Sequence, residues 1–268
     1  MLLTIDIGNT HTNIGVFDRI SGTYSSSNED KPLINWNISS DLKRTIDEYG
    51  ILISSLLNSI GQNVKIEAAI ISTVVPSLGE TFKAALKKYL NIESILVSHK
   101  LKLPFEIDLD DPKELGADRI ANAAAAVKYY KLPAIVIDFG TATTFDIVDK
   151  DKKFVGGIIA PGLKIQASSL SSFTSKLPKV KIEAPKTAIG KNTINAMMSG
   201  IVRGHACMID GMIKHCEEEL EVKDSDGASI IATGGFSSVL FSNLERDINY
   251  INKDLTLLGL KYLYELNK

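Results

Sequence analysis

Hydrophobic residues along the chain fall into short runs divided by polar turns. Leu2 to Ile7 is apolar apart from Thr4 and Asp6 and ends in Gly8-Asn9-Thr10. A second run, Ile14 to Phe17, follows, and then the polar stretch Ser21 to Lys31. This order predicts strand, tight turn, strand and loop. Leu42, Ile46, Tyr49, Ile53, Leu56 and Ile60 are spaced by steps of four and three, which predicts one face of a helix with Gly61 as its C-cap. Ala68 to Val75 predicts a buried strand. Ser77 and Glu80 predict a capping box that opens a helix carrying Phe82, Ala85, Leu86, Tyr89 and Leu90 on one face. Beyond Pro112 an alanine-rich helix is predicted from about Asp118 to Tyr130, stopped by Pro133.

The pattern then restarts. Ala134 to Asp138 is a second apolar run ending in Asp138-Phe139-Gly140-Thr141, and Phe145 to Val148 follows it as Ile14 to Phe17 follows the first. Further on, Ile230-Ile231-Ala232-Thr233 echoes Ile70-Ile71-Ser72-Thr73. Two echoes in the same order predict a duplicated α/β architecture, with the boundary between about Asp110 and Pro133.

Composition narrows the function. At 268 residues and 44% hydrophobic the chain can bury a sizeable core. Thirty basic against 32 acidic residues, a net charge of −2, argues against a nucleic-acid partner. Two cysteines, Cys207 and Cys216, exclude a disulfide-stapled scaffold. The start lacks a basic segment and Asp6 interrupts its apolar run, so no signal peptide is expected. The longest uncharged stretch, Tyr49 to Val64, is too short and too polar to span a bilayer. A soluble, cytoplasmic protein without membrane contacts is expected.

An acid at a strand end followed by Gly-Asn-Thr suits a polyphosphate. Glycine lets the backbone approach closely, Asn9 and Thr10 donate, and Asp6 can hold Mg²⁺ or its water. The same residues also make an ordinary hairpin turn. Repetition at Asp138-Phe139-Gly140-Thr141 favours the phosphate reading, with a hydroxyl-rich turn in each half, and Thr233-Gly234-Gly235 offers a third turn for a nucleoside. Competing motifs fail. Gly190-Lys191-Asn192-Thr193 looks like the end of a P-loop, but Pro185 stands where its first glycine belongs, and no dinucleotide fingerprint occurs. A zinc site from His205, Cys207, His215 and Cys216 is rejected, because one continuous helix points the first two to different faces and carries the others far along its axis. Gly116-Ala117-Asp118-Arg119 opens the alanine-rich helix. Either Asp118 caps that helix and Arg119 pairs at the surface, or Asp118 is a base beside bound phosphate and Arg119 neutralises anionic charge.

Taken together and in order, Asp6-Ile7-Gly8-Asn9-Thr10, Gly116-Ala117-Asp118-Arg119, Asp138-Phe139-Gly140-Thr141-Ala142-Thr143-Thr144, Gly157-Ile158-Ile159-Ala160-Pro161-Gly162 and Thr233-Gly234-Gly235 resemble type III pantothenate kinase, within the acetate and sugar kinase/Hsp70/actin superfamily. The resemblance runs from Met1 to about Tyr264. It implies two ribonuclease-H-like domains, 1–117 and 118–268, with an ATP cleft between them. It also implies a homodimer that phosphorylates pantothenate with ATP, the first step of coenzyme A biosynthesis. By the same resemblance Asp6, Ile7, Gly8, Asn9, Thr10, His11, Thr12 and Asn13 form the ATP phosphate loop, and Thr141 is a further ATP contact. Asp118 is the proton acceptor. Gly116, Ala117, Asp118, Arg119 and Thr193 bind pantothenate, and Asp138 holds a monovalent cation, K⁺ or NH₄⁺. Leu109 departs from the pattern, since many members carry Tyr at that place in the pantothenate pocket. Alternatives are a sugar kinase of the same superfamily and a non-catalytic regulatory accessory factor related to the family. Intact Asp6, Asp118 and Asp138 argue against the latter.

The helix from Ile120 to Tyr130 is apolar on nearly every side and must be buried on more than one face. One sheet can cover only one face, so the other is expected to pack against a second subunit, which would bring the pantothenate pocket to the interface as the resemblance implies; the alternative is burial between the two domains of one chain.

Overall fold

A computed structural model describes residues 1–18, 31–61, 65–222, 227–235 and 237–268. The loop expected over Ser21 to Lys31 lies outside them except for Lys31. The chain begins β1 (Leu2–Ile7), β2 (His11–Phe17), β3 (Ile34–Ser39), α1 (Ile46–Asn58), β4 (Ala68–Thr73), α2 (Pro76–Leu90), β5 (Ser94–Leu96), β6 (Glu106–Ile107) and α3 (Ala117–Tyr129). It continues β7 (Ala134–Phe139), β8 (Ala142–Val148), β9 (Lys153–Pro161), α4 (Leu163–Phe173), α5 (Thr193–Met198), α6 (Gly204–Glu219), β10 (Ser229–Gly234), α7 (Ser237–Leu240), β11 (Tyr250–Ile251) and α8 (Leu255–Asn267). Two compact units result: Met1–Tyr129 with Asp254–Lys268, and Tyr130–Lys253.

In the first unit the sheet order is β3-β2-β1-β4-β5. β1 and β2 form an antiparallel hairpin, β3 adds to it antiparallel, and β4 and β5 run parallel to β1. Alternation along β1 sends Leu3, Ile5 and Ile7 into a core with Tyr49 and Ile53 of α1 and Phe82 and Leu86 of α2. Thr4 and Asp6 point to the opposite face. α1 opens on a capping box between Thr45 and Glu48, which leaves Leu42 outside the helix and exposed. Ser59, not Gly61, is its C-cap. The capping box expected at Ser77 and Glu80 is absent. Pro76 takes the first helical position, which places Ser77 inside α2, and the Val75 N–H donates to Thr73 Oγ1 at 3.0 Å.

The second unit repeats the plan, with strands ordered β11-β10-β7-β8-β9. β7 and β8 form the hairpin, β9 follows antiparallel, and β10 and β11 run parallel to β7. Ile135, Ile137, Phe139 and Phe145 pack with Ala206, Ile209 and Ile213 of α6. The fold is therefore α/β, a duplicated ribonuclease-H-like unit.

The division falls at 129/130, not at the expected 117/118, and the C-terminal helix returns to the first unit. α3 and α8 pack on each other and both contact β4, with α8 also against β1. That arrangement corrects the expected role of α3. Ile120 to Ala126 are all buried within the chain, and Gly259 of α8 sits directly on the Ala121 backbone, where any side chain would collide. Asn122 is satisfied by the Thr256 hydroxyl, which donates to Oδ1 at 2.8 Å. The face of α3 assigned to a second subunit is covered by α8. Among the described residues no helix is long and apolar enough to cross a membrane.

Candidate active site

Asp6 is the penultimate residue of β1 and is half-buried. Strand register places it beside Asn13 of β2 and Ser72 of β4, so the three side chains share one face of the sheet. Asn13 Oδ1 accepts from Asn37 Nδ2 at 2.6 Å, which orients its amide. Ser72 is fully buried, and among the described residues its hydroxyl has no hydrogen-bond partner. The turn Gly8-Asn9-Thr10 closes with Gly8 N–H donating to His11 O at 3.0 Å, leaving Asn9, Thr10 and His11 exposed. Ile7 and Thr12 lie on the core face and are fully buried, and the Thr12 and Ser40 hydroxyls are 2.9 Å apart. Within Asp6 to Asn13, then, the side chains of Ile7 and Thr12 face the core, so Ile7 could meet a ligand only through its backbone, while the exposed turn offers side chains and N–H groups.

Gly116-Ala117-Asp118-Arg119 occupies the N-terminus of α3 in the same unit. Ala117 is buried, and Gly116, Asp118 and Arg119 are half-buried. Asp118 Oδ1 accepts from the Arg119 N–H at 2.8 Å. Burial raises the Asp118 carboxyl above the ordinary carboxylate range, against the opposing pull of the Arg119 N–H and charge. A carboxylate with a raised pKa in a half-exposed position is the kind of group that can take a proton.

In the second unit Asp138 is again penultimate in its strand and half-buried. Register places it beside Thr144 of β8 and Thr233 of β10. Gly234 follows with a φ of 87°, and a Cβ there would lie 2.6 Å from Asp138 Oδ1. Bare backbone thus closes on the carboxylate. Thr141 is exposed in the turn after β7, and Thr193 is exposed at the start of α5, whose N-cap Asn192 accepts from the Asn195 N–H at 2.8 Å. Leu109 is half-buried in the first unit. The expected residues thus gather as Asp6 to Asn13 and Gly116 to Arg119 in one unit, and Asp138, Thr141 and Thr193 in the other.

Comparison with known proteins decides the family. The family profile described as "Type III pantothenate kinase" matches residues 2–215. A protein of that name from Finegoldia magna is 42% identical over 100% of this chain and 98% of its own. Another from Halalkalibacterium halodurans is 38% identical, with 100% of both chains covered. The chain belongs to the type III pantothenate kinase family. A solved structure from Campylobacter jejuni, titled a conserved putative Baf family transcriptional activator, shares the fold at a TM-score of 0.58 and 21% identity, covering 98% of this chain and 97% of that one.

Membership in a kinase family brings ATP as co-substrate and raises the question of cations. Among the described residues no group of three or more His, Cys, Asp or Glu could hold a metal alone. An ion near Asp6 or Asp138 would therefore draw most of its oxygen ligands from phosphates, hydroxyls, backbone and water, which is the habit of Mg²⁺ and K⁺ rather than of zinc. The orphaned Ser72 hydroxyl beside Asp6 and the glycine backbone against Asp138 both fit such an oxygen-only site. The sequence pattern missed Ser72 because it aligned Thr73 with Thr233. Register instead makes Ser72 the counterpart of Thr233, one residue away and on the other face.

Proposed function

We infer that this chain transfers the γ-phosphoryl group of ATP to the primary hydroxyl of pantothenate, giving 4′-phosphopantothenate and opening coenzyme A biosynthesis. The observation that carries this reading is identity of 42% and 38% to proteins named type III pantothenate kinase over the whole chain. The donor end is the β1–β2 turn: Gly8 lets the backbone come close, the N–H groups of Asn9 and Thr10, the Asn9 amide and the Thr10 hydroxyl cradle the triphosphate, and Thr141 adds a contact from the β7–β8 turn. Asp6 would hold Mg²⁺ through water, and Asp138 would hold K⁺ or NH₄⁺. Bound there, the cations neutralise charge on the phosphate oxygens.

Asp118 is the base. Its carboxylate takes the proton of the pantothenate hydroxyl as that oxygen attacks the γ-phosphorus in line with the departing ADP. Arg119 meets the negative charge of substrate and transferred group, while Gly116, Ala117 and Thr193 shape the pantothenate pocket. Such a base contributes on the order of 10²–10⁴-fold, and positioning supplies much of the rest. Leu109 gives the pocket an apolar wall without a hydroxyl.

The working form is a cytoplasmic homodimer. Exposed Ile159, Ile165, Phe173, Ile189 and Ile194, all in the second unit, are the apolar residues that such an interface would cover. Light scattering is expected to give a dimer, and Phe173→Glu with Ile194→Glu to weaken it. Purified protein with ATP, Mg²⁺, K⁺ and pantothenate is expected to form 4′-phosphopantothenate by mass detection. Product from a sugar panel, and none from pantothenate, would overturn the assignment.

A further inference from the structure

His205, in the first turn of α6, is 3% exposed and has no part in the chemistry above. Its ring lies between two elements that flank the β7–β8 turn. Gln166 of α4 donates from Nε2 to Pro161 O at 2.8 Å, and the same nitrogen is 2.8 Å from His205 Nδ1. A carbonyl oxygen can only accept, so the Gln166 amide must present its NH₂ group to Pro161. The second hydrogen of that group then points at Nδ1, which must be the unprotonated ring nitrogen. The ring proton is therefore on Nε2, and it donates to Thr143 Oγ1 at 3.0 Å. Burial lowers the imidazole pKa, in keeping with a neutral ring.

These bonds close on the turn from both sides. Thr143 is the second residue of β8, two positions after Thr141. The Gly162 N–H donates to Thr141 O at 3.2 Å, and Gly162 follows the Pro161 that Gln166 holds. The chain from Thr141 O through Gly162, Pro161, Gln166 and His205 to Thr143 is thus a ring of hydrogen bonds around the start of β8. The first unit has a compact version of the same device. Ser40 follows β3 as Gly162 follows β9. Its N–H donates to Thr10 O at 3.0 Å and its hydroxyl meets that of Thr12. Glycine at 162 has no hydroxyl to offer, and Gln166 with His205 spans the gap.

We propose that His205, as the neutral Nε2–H tautomer, is a positioning residue that sets the β7–β8 turn for ATP phosphate. The proposal rests on the reading of Thr141 as an ATP contact, and its test separates the two. His205→Gln keeps a donor near the Nε2 position and so keeps Thr143 in place, whereas His205→Asn reaches only toward Gln166 and releases Thr143. The His205→Asn variant is expected to raise the KM and calorimetric Kd for ATP by about tenfold, the scale of one buried hydrogen bond. Its kcat should stay within about threefold and its KM for pantothenate should not change. His205→Gln should remain within about threefold of wild type in ATP affinity. Thr143→Val should match His205→Asn, and the double variant should add nothing further, since both break one bond. Wild-type ATP affinity in Thr141→Ala overturns the assignment of the turn to ATP. Wild-type affinity in His205→Asn beside a weakened Thr141→Ala overturns the role of His205 alone. So does equal loss in the Gln and Asn variants, or a lowered Tm with no change in ATP affinity.

Discussion

The β1–β2 and β7–β8 hairpins are two versions of one device, and their differences are those a duplicated unit would need to divide its work. Each has a half-buried carboxylate one residue before the strand ends, flanked by a polar side chain on the hairpin partner and a hydroxyl on the parallel neighbour. In each, a buried threonine (Thr12 or Thr143) bonds sideways to hold the turn. The first turn is one residue longer, and the extra Asn9 is exposed. The second is shorter and is closed by Gly234 against its carboxylate. An open, exposed turn would suit a part that catches the phosphate chain. A short turn with bare backbone on the acid would suit a part that holds a large monovalent ion.

If both hairpins only hold the nucleotide, the largest single-residue effect on turnover must lie outside them. Asp118→Asn is expected to cut kcat on the order of 10²–10⁴-fold with ATP binding kept. Turnover within about threefold of wild type would show the carboxylate to be a helix cap. Next, Asp6→Asn is expected to lower kcat/KM about 10²-fold, the scale of a lost electrostatic ligand, and to raise the Mg²⁺ requirement. Ser72→Ala should show a smaller change in the same Mg²⁺ titration, and an unchanged titration would remove Ser72 from the site. The two braces can be set against each other: His205→Asn should raise the KM for ATP about tenfold and Ser40→Ala several-fold, and the two should combine additively, because they share no partner. Strong non-additivity would mean the braces are not independent.

The smallest effect is on stability. The folded pKa of Asp118 lies above its unfolded value, so the native state holds the proton more tightly between the two. Wild-type stability therefore falls as pH rises through that window and stays lower above it. Asp118→Asn, which cannot ionise, should match wild type in Tm near pH 3.5 and exceed it at pH 7. A lower Tm at pH 7 would contradict burial as the cause.

Much of the duplication was legible because an acid, a glycine and a threonine at a strand end leave a local signature, and both hairpins formed where the runs predicted. Four features were not. β3 alternates half-buried and exposed residues at the sheet edge, so its pattern is faint. The residues of α8 are mostly apolar, but nothing in their spacing says that the helix returns to the first sheet and covers α3. Asp6 and Ser72 are paired by register, and a one-residue slip in the repeat hid that. His205 and Gln166, 39 residues apart, carry no spacing signal at all. Aspartates and glycines report on their own turns, whereas partners drawn from other elements appear only when the chain is folded.

The division of labour between the two acids is tested most directly by the rate of 4′-phosphopantothenate formation in potassium, ammonium and sodium buffers, for wild type and Asp138→Asn side by side. The account predicts product in all three for wild type, about tenfold or more faster in potassium or ammonium than in sodium, the scale of one charge-stabilising contact. It predicts a slow rate, indifferent to the cation, in Asp138→Asn. Equal wild-type rates in the three buffers, or an unchanged cation response in Asp138→Asn, would contradict it.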